Sequence, residues 1–221
     1  MKKLLISILI LSLMAPGIFY AAGCKQPESK EIARVVSGSE GKAIKNTETA
    51  VLGGGCFWSM EAIFSQLKGV IDAEVGYAGG FKENPTYEEL YRNDTGHAEV
   101  VSITFDPDII NYDKLLEIFF YVHDPTTLNR QGNDVGEQYR SIILYANPEQ
   151  EKTAREYIKN LENQKVYQDQ IVTEVEPLDK YYRAEDYHQE YFENNSTQSY
   201  CAVIVAPKIE KFEDKFADWI K

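Results

Sequence analysis

The chain has 221 residues, 43% of them hydrophobic and 26% charged, which suits one domain with a substantial core. With 35 acidic residues against 23 Lys and Arg the net charge is −12, which argues against nucleic acid or anionic lipid as a partner and for a soluble acidic surface. Three cysteines without a C-x-x-C pair, and three histidines (His97, His123, His188) without ligand spacing, give no signature of a zinc or iron site, so no metal or other cofactor is expected.

Lys2 and Lys3 precede a largely apolar run over 4–20, followed by Ala21-Ala22-Gly23-Cys24. This pattern predicts a secretory leader over 1–23 and an exported protein, periplasmic or extracellular. Small residues running into Cys24 resemble a bacterial lipoprotein cleavage site, where the cysteine becomes the lipid-modified first residue and a membrane anchor; Ala21 departs from the usual Leu of that pattern. Ordinary leader cleavage that leaves Cys24 a free thiol is the alternative. Loss of Lys2 and Lys3 makes the mature chain two units more negative. Residues 24–46 are charged and short of large apolar side chains, which predicts a flexible tether ahead of a domain over 47–221.

That domain opens with a strand over 47–52, and Gly53-Gly54-Gly55 then lets the backbone turn tightly into a helix whose apolar stripe is Met60, Ile63, Phe64 and Leu67. Cys56 falls in or just before the first turn. Free N–H groups and the helix dipole there favour a thiolate, so the sequence predicts a thiol more acidic than usual, with Phe57 and Trp58 as an apolar wall behind it. The alternative is a buried structural cysteine in a glycine turn.

Alternation over 71–77 predicts a half-buried strand, followed by a loop with Gly79-Gly80 and Pro85, a short helix over 87–92, and a strand over 97–105. In the latter, Glu99 shares a face with Val101, Ile103 and Phe105, the bulkier side of the strand. A carboxyl on that side is desolvated, holds its proton near neutral pH and can act as an acid; the alternative is an ordinary surface charge at the strand's start. A helix over 112–122 follows, then a polar loop over 124–136 and a strand over 140–146. Asn147 caps the next helix with Pro148 at its first position, and Ala154, Tyr157, Ile158 and Leu161 mark its buried stripe. The remaining pattern predicts a strand over 171–177, a helix over 185–194, a strand over 200–206 and a last helix over 209–220. Interleaved strands and helices make this an α/β (α+β) fold, a two-layer sandwich with a mixed sheet. If Cys24 carries lipid, Cys56 and Cys201 are the cysteines left to pair, and a structural disulfide is the simple reading.

Five short motifs in order, Gly55-Cys56-Phe57-Trp58, Gly96-His97-Ala98-Glu99, Asn133-Asp134 with Gly136, Gln138-Tyr139-Arg140-Ser141 and Glu185-Asp186-Tyr187-His188-Gln189, resemble the A-type peptide-methionine sulfoxide reductases over about 47–207. The resemblance implies reduction of the S-epimer of methionine sulfoxide, free or in proteins, through a cysteine sulfenic acid, and so the repair of oxidised exported proteins. It makes Cys56 the nucleophile and protonated Glu99 the acid. Tyr87 and Tyr139 become the phenols on the sulfoxide oxygen, and Asp134 their supporting carboxylate. Phe57 and Trp58 line the substrate methyl pocket. It places Cys201 as the resolving cysteine whose disulfide a thioredoxin-like donor reduces, although Ala202-Val203-Ile204-Val205 reads as a strand that restricts its travel, and a buried structural thiol is the alternative. It also implies a monomer. A cysteine-nucleophile hydrolase, a non-enzymatic lipoprotein binding module and a plain disulfide exchanger are the competing functions; the first needs an imidazole at Cys56, and the last has no use for Glu99.

Overall fold

The computed structural model describes residues 46–92 and 95–221, so the leader over 1–23, Cys24 and the tether up to residue 45 lie outside the described residues. Strand β1 (Glu48–Gly54) runs into helix α1 (Phe57–Phe64), then come β2 (Val70–Ala78), α2 (Tyr87–Tyr91), β3 (Ala98–Phe105) and α3 (Tyr112–Val122). A hairpin of β4 (Arg130–Gln131) and β5 (Asp134–Val135) leads to β6 (Ser141–Tyr145), α4 (Pro148–Asn163), β7 (Glu174–Pro177), β8 (Tyr181–Arg183), α5 (Tyr191–Asn195) and α6 (Ala206–Phe216). The main sheet has six strands in the order β7-β6-β1-β3-β2-β8. Its pairs are antiparallel except β6 with β7, so the sheet is mixed, as expected.

Side-chain parity decides which face carries the core. Leu52 pairs with Val101 and with Ile143, and Val101, Ile103 and Phe105 extend that face along β3. Helices α1, α3 and α6 cover it with Ile63, Phe64, Leu115, Leu116, Phe119 and Phe212, all fully buried. The opposite face is a thinner layer of Val51, Ala98, Val100, Ile142 and Leu144. Glu99 lies on the thick-core face at 2% exposure, which settles its orientation against the surface alternative.

Capping follows the sequence. Asn111 and Asn147 accept from the backbone N–H of the third residue of α3 and of α4, Pro148 sits at the first position of α4, and Thr86 with Glu89 forms a capping box on α2. Three local expectations differ, and one strand was not expected. The loop over 124–136 carries the β4–β5 hairpin, and Tyr181–Arg183 is an edge strand paired with β2. The segment over 185–194 is a 3-10 turn (Asp186–His188) followed by α5, broken where Glu190 takes a left-handed φ of 51°. Most consequentially, 200–206 is not a strand: Cys201–Val205 is a π-helical turn running into α6. The run Ala202-Val203-Ile204-Val205 is too short for apolar period to separate helix from strand. Cys201, Val205, Ile209, Phe212 and Phe216 form one buried helical stripe, while Val203 is 68% exposed, a burial pattern with helical rather than alternating period.

Candidate active site

The site forms where the C-terminal end of β1 meets the N-terminal end of β3. Antiparallel pairing sets Leu52 against Val101, and two residues further along the same register lie Gly54 and Glu99. The backbones approach so closely that a Cβ on Gly53 would stand 2.8 Å from the Glu99 carbonyl oxygen. Gly55 turns the chain at φ +89°, with the Gln131 side chain against its Cα, and Cys56 becomes the N-cap of α1. Ser59 closes this first turn, its backbone N–H and its hydroxyl both donating to the Cys56 carbonyl, at 3.2 and 2.8 Å.

The free amides of α1 are shared between two acidic groups. The Phe57 N–H donates to Glu99 Oε2 at 3.0 Å, while the Trp58 N–H points to Cys56. Burial pushes the Glu99 carboxyl up to about 8, against the Phe57 hydrogen bond and with the charge of Asp134, so it holds a proton at neutral pH. The expected acidic thiol is not found. Burial, and then the charge of Glu99, push Cys56 up to about 12, against the Tyr200 hydroxyl, the Trp58 N–H and the charge of Lys208. At 8% exposure, desolvation outweighs a helix end that is already partly spent on Glu99. Once Glu99 is protonated its repulsion on the thiolate is gone.

The structure gathers the expected residues around this pair. Burial, with the charges of Glu99 and Cys56, raises the phenols of both Tyr87 and Tyr139. Asp134, carried by the β4–β5 hairpin, accepts from the Tyr200 hydroxyl at 2.7 Å. Phe57 is fully buried against Tyr77, Tyr87 and His188, and Trp58 stacks on Tyr191 with centroids 3.8 Å apart. Cys201 stands apart from the group: it is fully buried on the core stripe of the last helix, and neither it nor Cys56 is in a disulfide.

Residues given no role by the sequence reading hold the others in place. Glu185 accepts from the Tyr77 hydroxyl at 2.7 Å and from the Tyr87 N–H at 3.1 Å, which fixes the start of α2. Gln189 bridges the Val75 N–H and C=O as a strand would. His188 accepts from Trp58 Nε1 at 3.1 Å, and burial keeps its imidazole neutral. Buried Arg140 donates to Glu174 at 2.9 Å and to the carbonyls of Gly79 and Gly96 at 3.2 Å, pinning the two ends of the β2–β3 connection. Tyr200 was hidden by the strand expectation over 200–206, and Lys208 fell between that strand and the last helix over 209–220; read at helical spacing, both fall on one face with Ile204.

A cleft of about 1010 Å³ also reaches Cys56, lined among others by His123, Asp134, Tyr200 and Lys208, but not by Phe57, Trp58, Tyr87, Glu99 or Tyr139. Cys56 therefore lies between the acid and aromatic group and this cleft. No imidazole is available to it as a base. His123 has Nδ1 at 2.6 Å from the Phe119 carbonyl and Nε2 at 2.7 Å from Ser141 Oγ, and burial pushes it down to about 3; His97 is held by the Gly80 N–H and the Lys82 carbonyl. The hydrolase reading lacks its general base. Among the described residues no group of three His, Cys, Asp or Glu side chains could hold a metal ion.

The sequence matches the family model described as peptide methionine sulfoxide reductase over residues 48–220. It is 53% identical over 174 residues to a peptide methionine sulfoxide reductase MsrA of Saccharolobus solfataricus, covering 79% of this chain and 97% of the relative. Among solved structures it resembles methionine sulfoxide reductase A of Corynebacterium diphtheriae, with a TM-score of 0.67, 39% identity and coverage of 70% of this chain and 77% of the other. It also resembles Mxr1 from Saccharomyces cerevisiae in reduced form, with a TM-score of 0.66, 32% identity and coverage of 70% and 89%.

Proposed function

This chain belongs to the peptide methionine sulfoxide reductase family and is a thiol-dependent methionine sulfoxide reductase, and from that premise we propose how its own residues perform the reduction. The substrate is the S-epimer of methionine sulfoxide, free or in a polypeptide. Its methyl group lies against Phe57 and Trp58, where apolar rings favour a small uncharged end. Its oxygen lies toward Glu99, Tyr87 and Tyr139, with Asp134 and Tyr200 behind them. Cys56 attacks the sulfoxide sulfur as Glu99 protonates the oxygen, so that charge developing on oxygen is neutralised as the sulfur–sulfur contact forms. The oxygen passes to Cys56 with the proton from Glu99, and the thiol proton restores the Glu99 carboxyl: thiol and sulfoxide become sulfenic acid and thioether, one sulfur oxidised by two electrons and the other reduced by two.

The observation that carries this reading is the 3.0 Å hydrogen bond from the Phe57 N–H to Glu99 Oε2, which joins a buried carboxyl to the residue beside the nucleophile. Cys201 then attacks the sulfenic acid, forming the Cys56–Cys201 disulfide with release of water, and a thioredoxin-like dithiol reduces it. Because Cys201 is buried in a helix, this step requires the Cys201–Val205 turn to unwind; π-helical turns are rare and less favourable than α-helix, which makes this a suitable place to open. The chain acts as a monomer outside the cytoplasm, held at a membrane through lipid on Cys24 and repairing exported proteins. Loss of labelled lipid on Cys24→Ala is the test of the anchor.

The activity is tested by incubating the protein with each epimer of N-acetyl-methionine sulfoxide and dithiothreitol, with Cys56→Ser beside it. Methionine from the S-epimer alone, absent in the variant, is the expected result. Product from both epimers, or undiminished turnover in Cys56→Ser, overturns the assignment.

A further inference from the structure

The helical run through Cys201–Val205 and α6 carries two stripes. Cys201, Val205, Ile209, Phe212 and Phe216 face the core. Tyr200, Ile204, Lys208 and Lys211, at the same spacing, line the cleft at Cys56. The two lysines are used differently. Lys211 lies over the Tyr121 ring, 4.8 Å from its centroid. Lys208 turns inward: its ammonium donates to Ser59 Oγ at 2.9 Å and lies 4.0 Å from Met60 Sδ, side chains of residues 2% and 0% exposed. Ser59 Oγ in turn donates to the Cys56 carbonyl at 2.8 Å. One hydroxyl thus ties a cation to the backbone of the nucleophile.

Burial of an ammonium is costly, and Lys208 makes none of the carboxylate ion pairs found among the described residues. Burial draws it down to about 8, opposed by Cys56 once ionised and by the charge of Asp134, so it is charged at neutral pH. The groups facing the nucleophile from the other elements are Glu99 on β3, Tyr87 on α2, Asp134 on β5, Tyr139, Tyr200 and neutral His123 at the end of α3. None of these is a cation.

We propose that Lys208 is a positioning residue for the reduction: its ammonium, held at the Cys56 turn through Ser59, supplies the fixed positive charge that stabilises the attacking Cys56 thiolate and the sulfenate it becomes. Lys208 keeps its proton and forms no bond to substrate. The inference rests on Cys56 being the nucleophile.

The test compares Lys208→Met, Lys208→Gln and Lys208→Arg with the parent protein, each checked by thermal melting. Site-resolved mass spectrometry follows iodoacetamide alkylation of Cys56 between pH 6 and 10, and single-turnover reduction of N-acetyl-methionine S-sulfoxide is measured beside it. Gln keeps a donor for Ser59 without the charge and is the milder variant if Met does not fold. Below about pH 8, where Lys208 keeps its proton, loss of the charge slows Cys56 alkylation about tenfold, the effect of one pKa unit, and slows single turnover by a similar factor with little change in KM; the difference from the parent narrows above pH 8. Arg restores both to within about threefold, since the charge is what matters. Unchanged alkylation profiles in Met or Gln overturn the proposal even while Cys56→Ser remains inactive. Full turnover in Cys56→Ser removes the underlying reading as well, so the two failures are distinguishable.

Discussion

Replacing Glu99 by Gln substitutes a neutral isostere for a carboxyl that the fold already keeps protonated. The amide oxygen can still accept the Phe57 N–H now held at 3.0 Å, so the turn at Cys56 is retained. What is lost is the transferable proton, and the expected result is a fall of about 10²- to 10⁴-fold in single-turnover reduction at pH 7, the usual contribution of a positioned acid. Stability moves the other way. Burial raises Glu99 from 4.5 to about 8, so its protonated form favours the fold and that contribution is lost as pH climbs through this window. Between pH 5 and 9 the linkage amounts to about 4 kcal/mol against the parent, none of which applies to the amide. Glu99→Gln is therefore expected to melt near the parent at pH 5 and well above it at pH 9. The assay is a series of thermal melts at fixed ionic strength, with methionine release measured on the same samples. Parent activity also falls above about pH 8 as the acid ionises. Equal melting differences at pH 5 and 9 would refute the desolvation argument, and undiminished turnover in Glu99→Gln would refute the acid role.

Cys201→Ser is expected to yield one equivalent of methionine and then to stall with a thioredoxin-type donor, while still cycling with dithiothreitol; normal cycling with the protein donor would show Cys201 to be a packing residue. His188→Leu removes the acceptor of Trp58 Nε1, leaving a partly buried donor unpaired. It should cost about 1–3 kcal/mol in melts and raise KM for the sulfoxide several-fold; an unchanged KM would mean that Trp58 does not shape the substrate site. Tyr200→Phe deletes the hydroxyl that donates to Asp134 and acts on Cys56. Alkylation of Cys56 should slow at a given pH, and a profile identical to the parent would count against that hydrogen bond.

Local order was legible where short-range chemistry dictates it. The Gly53-Gly54-Gly55 turn, the Asn111 and Asn147 caps and the alternation that turns Glu99 inward need only neighbouring residues to be read, and the order of the five motifs was enough to suggest the family. Tertiary structure decided what depends on distant partners. Burial makes the Cys56 thiol less acidic in the resting protein, and Glu99, brought beside it from 43 positions away by the β1–β3 register, adds to this once it ionises, although the cysteine's place at a helix end pointed to the reverse. Ala202-Val203-Ile204-Val205 fits a strand by composition and forms a helical turn because Cys201 and Val205 pack on the same core as Ile209 and Phe212. That choice puts Tyr200 and Lys208 on the face toward Cys56 and Cys201 on the face away from the cleft, since Tyr200, Ile204 and Lys208 follow one another in steps of four along one stripe and Cys201, Val205 and Ile209 along the next.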